Sequence, residues 1–372
     1  MKFLIRPKFF FKTLRLIGDM IAIWPKHIGA KKTMIMFHEV KWWLSFTNAT
    51  GLLIPLVLGV YYFRNDSITM TKTLSELTAL CEVFINLIQC RLQEKKFQVI
   101  LYEIENFIEN SNEQEESLLQ DYLNRYKTLQ LFVGSSFIST AILFSCIPIF
   151  TSQLLPADAW YPFSVEYFPI RVFLYITQVL AIFQTGFGIC VDLTVATMLW
   201  YSAVQIELLE KNVHKAVSKA ELRECARRHQ EIIEFTDNIK KGIKFIILKT
   251  NATMIIVVIC GAFQLIHHEP LEVLLRFTLM VLAGCLRLYV SAKPADDLKE
   301  NSEQLARTAF QTALMQKSTS NSKIGLMLAF RCQKPIVLSV TAVIRAYTLQ
   351  YYASFLSRTV TYFVNLRAVL DD

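Results

Sequence analysis

The composition of the chain is that of a membrane protein. Of its 372 residues, 53% are hydrophobic and only 19% are charged, and the formal net charge is +8. A water-soluble protein of this length carries more charge, so the composition argues against that class. The positive side chains lie between the apolar runs, as in the loops that orient membrane proteins, which argues against a nucleic-acid-binding surface.

The residue types that carry metal and catalytic chemistry are scattered. The eight cysteines form no CxxC pair and are predicted to be small core residues, and the six histidines lack metal-binding spacing. The sequence contains no nucleophile elbow, glycine-rich phosphate loop or HExxH pattern. The sequence therefore predicts a protein that is not an enzyme and that uses no metal or other cofactor.

The fold class predicted from hydropathy is all-α and polytopic, with seven transmembrane helices. A spanning helix needs about 20 mainly apolar residues, and seven runs reach that length or more. In chain order these runs are residues 40–63, 71–92, 129–155, 168–200, 243–266, 271–290 and 336–366. The basic segment ahead of them predicts a short amphipathic helix that lies on the membrane face and ends at Trp24-Pro25.

Helical periodicity continues beyond the fourth to sixth spans. Residues 207–241 and 295–316 combine mixed charges with regularly spaced apolar side chains. We therefore expect these spans to run out of the membrane and pack as a cytoplasmic anchor layer. The predicted regions are a cytoplasmic N-terminal segment (1–39), spans one to four (40–200), cytoplasmic extensions with spans five and six (201–335), and a pore-lining last span (336–372).

The distribution of Lys and Arg predicts the orientation. The N-terminal segment and residues 207–244 and 291–334 are rich in both, whereas residues 158–169 contain neither. We therefore expect the N-terminus in the cytoplasm and, after seven spans, the C-terminus outside. Asn65 begins an Asn-Asp-Ser sequon in the first predicted outer loop, where it would be glycosylated.

Charged side chains interrupt several predicted spans, although charge is rare at membrane depth. The candidates for a functional role are Glu76, Glu82, Arg171, Asp192, Arg276, Arg287, Arg345 and Arg358. The structural interpretation is ion pairing between helices or snorkelling near helix ends, and the functional one is a part in a ligand or ion pathway.

The last span, which we expect to begin after Pro335, carries a polar stripe. At helical spacing one face holds Tyr347, Tyr351, Ser354, Arg358, Thr361 and Asn365. A spanning helix with such a face needs a polar partner helix or water beside it.

Four local patterns, together with the inverted seven-span topology, resemble the insect odorant receptor family. They are Gly18 with Trp24-Pro25; Trp160-Tyr161-Pro162; Ser302-Glu303-Gln304-Leu305 with Ala309-Phe310; and Cys332-Gln333-Lys334-Pro335 followed by Thr361-Tyr362-Phe363 and Leu366. A tryptophan common after Phe310 in that family is absent. The chain is shorter than the shared co-receptor and lacks its long cytoplasmic insertion, so it resembles a ligand-tuning subunit.

The resemblance implies an odorant-gated, non-selective cation channel in the plasma membrane of the olfactory sensory neuron dendrite. Its partners would be a small volatile organic ligand, membrane lipid and the co-receptor subunit in a heterotetramer, with no nucleic acid. The last spans would surround the pore, and the ligand would bind among spans two, three, four and six.

Depth and helix phase nominate the residues for these roles. The predicted ligand-binding residues are Leu77, Cys81, Thr140, Phe144, Tyr175, Gln178, Ile182, Phe277 and Val281. The predicted pore and gate residues are Ser354, Arg358, Thr361, Val364, Asn365 and Leu366. Asn365 matches the position of the co-receptor's aliphatic gate residue, and a ring of four amides would exclude water poorly. This predicts that aliphatic partners complete the ring.

Two other classes remain open. A gustatory-type ligand-gated channel typically has Gln-Phe five residues after its terminal Thr-Tyr, and that pair is missing here. A G-protein-coupled chemoreceptor has its N-terminus outside, which the basic N-terminal segment opposes. A transporter is disfavoured because no internal repeat is visible.

Overall fold

The computed structural model describes residues 6–26, 28–150, 153–266, 271–316, 318–341 and 344–371, with the side chains of 262, 264–266, 271–277, 279–280, 363 and 366–371 excepted. All regular structure in these ranges is helical. The helices are α1 (Pro7–Met20), α2 (Lys32–Tyr62), α3 (Ser67–Leu92), α4 (Glu94–Asn110), α5 (Glu113–Ser145), α6 (Ile147–Phe150), α7 (Phe168–Lys215), α8 (Lys219–Ile266), α9 (Leu271–Met315), α10 (Thr319–Cys332) and α11 (Leu349–Asp371).

A helix occurs at each of the seven predicted spans. Within the described residues, five helices are long and apolar enough to cross a membrane, namely α2, α3, α5, α7 and the part of α8 up to Gly261. Large apolar side chains on their outer faces are exposed, including Ile54, Val57, Phe132, Ile142, Phe173 and Leu180. A surface of this kind is suited to lipid rather than to water.

Helix α7 is the central element of the fold. It packs against α5, α8 and α9, and nearly every residue from Gly186 to Ile206 is buried. At about 1.5 Å per residue its 48 residues reach roughly 72 Å, far more than a bilayer requires. Helices α8 and α9 are similarly long, and α10 packs against both. The predicted all-α fold, with spans four to six continuing into a helical layer, is confirmed.

The N-terminal helix differs from its prediction. Helix α1 ends at Met20 rather than at Trp24-Pro25, and it packs against α4, α5 and α7. Its apolar side chains Phe10, Phe11 and Leu14 are buried by protein, whereas Phe9 and Leu16 are exposed, so protein rather than lipid covers one apolar face of α1. An amphipathic pattern shows that a face will be buried, but it does not distinguish lipid from protein.

The Gly18 and Trp24 pair has a steric explanation. The chain folds back after α1 through Ala22, whose φ is 55°, and the Trp24 ring lies on Gly18. A Cβ on Gly18 would stand 1.8 Å from Trp24 Cδ1. Trp24 is fully buried and meets Phe97 edge to face at 6.1 Å, so this glycine anchors the turn to the core.

The last helix is shorter than predicted, because α11 begins at Leu349 and not after Pro335. The preceding residues form a turn in which Val340 N donates to Ile344 O at 2.9 Å and Tyr347 N donates to Leu338 O at 2.8 Å. Residues 336–341 are rich in β-branched side chains, which lowers helix propensity. Tyr347 is therefore buried below the helix rather than on its polar stripe, while the 23 residues of α11 still reach about 35 Å.

Candidate ligand-binding site

An apolar cavity of about 140 Å³ lies between α3, α5 and α7. We call it the apolar cavity. The engineered protein cavity known to bind benzene has a volume of about 150 Å³, so the space suits a single-ring or short-chain molecule. The wall is formed by Leu52, Leu56, Ser75, Glu76, Ala79, Leu80, Phe137, Thr140, Ala141, Phe144, Ala157, Ala181, Ile182, Thr185, Gly186 and Ala283.

The three hydroxyl groups of the wall are already used as donors. Ser75 Oγ donates to Thr71 O at 3.0 Å, Thr140 Oγ1 to Ser136 O at 2.8 Å, and Thr185 Oγ1 to Ala181 O at 3.0 Å. Each is a bond to the preceding turn of its own helix. The hydroxyls therefore present acceptor oxygens to the cavity, and the rest of the wall provides mainly apolar contact.

The loop between α6 and α7 closes one end of the apolar cavity. Gln178 Oε1 accepts from Ala157 N at 2.9 Å, and Gln178 Nε2 donates to Tyr161 Oη at 3.1 Å. Glu76 Oε2 accepts from Asp158 N at 2.9 Å. These bonds tie the loop to α3 and α7, so the cavity is capped by ordered backbone.

Three of the nominated residues, Thr140, Phe144 and Ile182, lie on the cavity wall. Gln178 lies behind it and holds the loop, and Tyr175 donates from Oη to Ser145 O at 3.0 Å. The other three nominated residues whose side chains are described do not line the wall. Leu77 packs with the cluster of Leu52, Leu56 and Leu80, and Cys81 is half-buried outside the wall. Val281 lies against Gly261, and the side chain of Phe277 falls outside the described residues.

The wall residues that were not nominated are mostly small. Ala79, Ala141, Ala181 and Gly186 create the space by having little side chain, and an alanine in an apolar run carries no sequence signal for a cavity. Phe137 is an exception, because it lies one turn before Thr140 and Ala141 on α5, and helical spacing from Thr140 points to it.

A second, smaller space of about 70 Å³ adjoins the apolar cavity, and we call it the polar chamber. The two share Ala79, Phe137 and Thr185 as wall residues. The remaining lining includes polar side chains from three helices. These are Thr78, Glu82 and Asn86 of α3, Thr253 of α8 and Arg287 of α9.

Four buried charges beside the polar chamber form what we call the charge cluster: Glu82, Asp192, Lys249 and Arg287. Arg287 Nη1 donates to Glu82 Oε2 at 2.6 Å and Arg287 Nε to Asp192 Oδ2 at 2.9 Å, while Nη2 contacts both carboxylates. Lys249 Nζ lies 2.8 Å from Glu82 Oε1. Two acids and two bases thus join α3, α7, α8 and α9.

The predicted ion pairing between helices is confirmed for Glu82, Asp192 and Arg287, and Lys249 was missed. The guanidinium of Arg171 stacks on the Phe168 ring at 5.8 Å. Arg358 is exposed on α11, and the side chain of Arg276 lies outside the described residues. No group of three or more His, Cys, Asp or Glu side chains in the described ranges is arranged to hold a metal ion.

Helix α11 is attached to the same helices that carry the charge cluster. Phe355 packs with Met254 and Val257 of α8 and Leu288 of α9. Tyr351 Oη donates to Asn251 Oδ1 at 3.0 Å. Tyr347, just before α11, pairs its hydroxyl with Ser291 Oγ at 2.8 Å.

The nominated pore residues of α11 whose side chains are described are all exposed in the single chain. They are Ser354, Arg358, Thr361, Val364 and Asn365. The side chain of Leu366 lies outside the described residues. An exposed apolar surface lies elsewhere in the chain, and we call it the α9–α10 patch. It consists of Phe310, Leu314, Met315, Met327 and Phe330.

The comparisons with known proteins agree with one another. The sequence model of the family described as 7tm Odorant receptor matches residues 69–360. Two solved structures of the insect olfactory receptor OR5 from Machilis hrabei, one of them in complex with eugenol, share the fold with TM-scores of 0.83 and 0.82 at 16% sequence identity. In both cases 96% of this chain and 98% of the receptor chain are covered. No curated protein matches the chain.

Proposed function

We propose that this chain, which belongs to the 7tm Odorant receptor family, is the ligand-tuning subunit of an odorant-gated, non-selective cation channel. A small volatile organic molecule would bind in the apolar cavity, and α11 would line the pore. The observation that carries the proposal is the capped apolar cavity between α3, α5 and α7 in a chain with an olfactory receptor fold. The family match favours this function over a gustatory-type channel or a G-protein-coupled chemoreceptor.

The chemistry of the cavity supports a volatile ligand. Volatile molecules are small and mostly apolar, and the wall offers aliphatic and aromatic contact with a few acceptor oxygens. The similar receptor from Machilis hrabei was solved with eugenol, a small oxygenated aromatic molecule. Of the nominated ligand residues, Thr140, Phe144 and Ile182 would contact the ligand, and Gln178 would hold the loop that closes over it.

The exposed face of α11 supports the pore. Tyr351 and Phe355 hold the helix on α8 and α9, while Ser354, Thr361 and Asn365 are exposed. A polar helix face at membrane depth needs water or a polar partner. Facing a central pore in an oligomer would satisfy this requirement.

The properties of α11 also support a heteromer with the co-receptor. Four copies of Arg358 around one axis would repel both cations and one another, and four Asn365 amides would keep a constriction hydrated. Aliphatic side chains from partner subunits would remove both problems. The exposed α9–α10 patch supplies a surface on which such subunits could pack.

Cell-surface currents test the proposal. Cells would express the chain with an insect co-receptor, the chain alone or the co-receptor alone, and would be exposed to a panel of volatiles. We expect cation currents with a ligand spectrum that appears only in the combined expression. Robust currents from the chain alone would contradict the heteromer, and no response from surface-expressed pairs would contradict the function.

A cavity-filling variant sharpens this test. Ala181 is fully buried on the cavity wall, so Ala181→Phe would occupy the ligand volume. Leu180→Phe is the matched control, because Leu180 is exposed on the outer face of α7. We expect the first to abolish ligand responses and the second to keep them at equal surface expression.

Assembly is tested at the α9–α10 patch. Phe330 is 75% exposed, so Phe330→Glu should prevent subunit association without disturbing the subunit core. Leu305 in the same region is completely buried, and a charge there would unfold the subunit instead. Val99→Glu, at an exposed position of α4, serves as the control. Intact complexes of the Phe330→Glu variant in size-exclusion chromatography would refute this interface.

Glycosylation of Asn65 tests the membrane orientation. Asn65 is exposed in the turn between α2 and α3, and Asp66 caps α3 by accepting from Ile68 N at 3.1 Å. An outer-loop location predicts a mass shift that is removed by glycosidase and by Asn65→Gln. If Asn65 were found on the cytoplasmic side of the plasma membrane, the proposed orientation of the receptor would be wrong.

A further inference from the structure

We propose that the polar chamber is a second compartment of the ligand site, and that it binds a neutral oxygen acceptor of the ligand, such as the carbonyl of a ketone, aldehyde or ester. The ligand class would then be small apolar molecules with one terminal carbonyl. This inference rests on the proposed function, since it specifies what the same site selects.

Asn86 provides the recognising group. The residue is only 1% exposed and lines the polar chamber. Its Oδ1 accepts from Lys249 Nζ at 2.7 Å, and because an ammonium group can only donate, this bond fixes which end of the amide is oxygen. The amide nitrogen makes no hydrogen bond to any residue that the structure describes, so two donors remain for a ligand.

The surrounding charges define the kind of acceptor. The carboxylates of Glu82 and Asp192 are paired with Arg287 and Lys249, and the cluster is neutral as a whole. A charged ligand would bring an unbalanced charge into a buried site, which is strongly unfavourable. A neutral carbonyl oxygen instead uses the free donors of Asn86 without disturbing the ion pairs.

The two compartments adjoin each other along α3 and share three wall residues, so we infer that one molecule would extend from one into the other. Ser75 and Glu76 line the apolar cavity, and Asn86 lines the polar chamber. All three lie on α3, and Ser75 and Asn86 are about 16 Å apart along the helix axis. Between the compartments stand Ala79, the smallest shared side chain, and Phe137, whose ring is 5.8 Å from the Arg287 guanidinium. An apolar chain or ring would fill the apolar cavity, and its terminal carbonyl would pass Ala79 towards Asn86.

Matched ligand pairs isolate the carbonyl. The first pair is 2-heptanone and 2-methyl-1-heptene, and the second is acetophenone and α-methylstyrene. In each pair the second molecule has an isosteric C=CH₂ in place of the C=O of the ketone. Apparent Kd values would be measured from ligand-dependent unfolding temperatures of the purified full chain in lipid nanodiscs. For the wild-type chain we expect at least one pair in which the ketone binds about tenfold more tightly, the effect of one buried hydrogen bond.

Variants assign that difference to Asn86. Asn86→Leu and Asn86→Met should both remove the ketone preference, because neither side chain has a donor, and the second keeps a weak neutral acceptor beside Lys249 if the first does not fold. Asn251→Leu is the matched control. Asn251 is equally a buried amide within the bundle, but its nitrogen already donates to Ile247 O at 2.8 Å and it lines neither compartment. Its variant should keep the ketone preference.

Three outcomes would overturn the inference. They are equal affinity within both pairs for the wild-type chain, a ketone preference that survives in a folded Asn86 variant, and no binding of any of the four molecules. Each leaves the proposed function separately testable, because odorant-gated current with other volatiles does not depend on carbonyl selection.

Discussion

Replacing Arg287 by methionine should destabilise the helix bundle severely. Of the two bases in the charge cluster, Arg287 is the one that bonds to both carboxylates. Methionine has a similar length and no charge, so Glu82 would keep Lys249, and Asp192 would keep the neutral hydroxyl of Thr250 at 3.2 Å. Removing one partner from a buried ion pair typically costs about 3–5 kcal/mol, because the remaining charge is neither solvated nor paired.

Two further variants make the magnitude interpretable. Lys249→Met should cost less than Arg287→Met, because Glu82 would keep its two contacts with Arg287. The double variant Arg287→Met with Asp192→Leu removes one charge of each sign and leaves the Glu82–Lys249 pair, 2.8 Å apart. It should recover part of the stability lost in the single variant, since buried pairs replaced by apolar residues are often tolerated.

The unfolding temperature of the purified chain in detergent measures these effects, with surface expression as a second readout. We expect the single Arg287 variant to unfold well below the wild-type chain and the double variant to lie between them. An unchanged unfolding temperature for Arg287→Met would refute the reasoning, because it would mean that the two carboxylates are solvated or protonated rather than held by the guanidinium.

Three other predictions concern the N-terminal turn, the helical layer and α11. Gly18→Ala should lower the unfolding temperature because its Cβ would collide with the Trp24 ring at 1.8 Å, whereas Gly51→Ala, which meets nothing within 4 Å, should not. His229 lies ahead of the apolar stretch of α8, and burial lowers its pKa to about 4 from 6.5. The unfolded chain then binds the proton more readily than the folded chain. The contribution of His229 to the free energy of unfolding should therefore be fully present above pH 6.5 and be lost, by up to about 3 kcal/mol, as the pH drops towards 4. A folded His229→Leu variant should not show this loss. In patch-clamp recordings of the co-expressed channel, Asn365→Lys should reduce cation current and Asn365→Val should be tolerated; no effect of the lysine would contradict a pore-facing position.

Hydropathy predicted the spanning helices because burial in lipid requires long apolar runs with internally bonded backbone. It also indicated the helical layer, since the charged stretches kept a helical period. The start of the last helix could not be obtained in this way. Residues 336–348 are apolar enough to continue a span. However, Tyr347 N donates to Leu338 O at 2.8 Å, and Ile336 N donates to Ser302 Oγ at 3.0 Å. That bond depends on α9, which is remote in sequence.

The charge cluster was only partly visible in the sequence. Glu82, Asp192 and Arg287 were recognised as charges within spans, but five of the eight charges in that set were arginines, so the sequence did not show which of them pair. Only the packing of α3, α7 and α9 brings these three together, and Lys249 of α8 balances their charge. The apolar cavity was harder to locate, because its space comes from missing side-chain volume at Ala181 and Gly186 and from helix packing.

The positions of the two compartments and the charge cluster bear on how ligand binding would reach the pore. The cluster fixes α3, α7, α8 and α9 to one another, and α8 and α9 hold α11 through Phe355 and Tyr351. Breaking one of these buried ion pairs would cost about 3–5 kcal/mol, and that cost would be subtracted from the binding free energy of the ligand. Under the proposed function, a ligand would therefore act by shifting intact helices against one another. The shift would reach α11 through its packing on α8 and α9, and the Phe355 and Tyr351 contacts would then be the mechanical link between the ligand site and the pore.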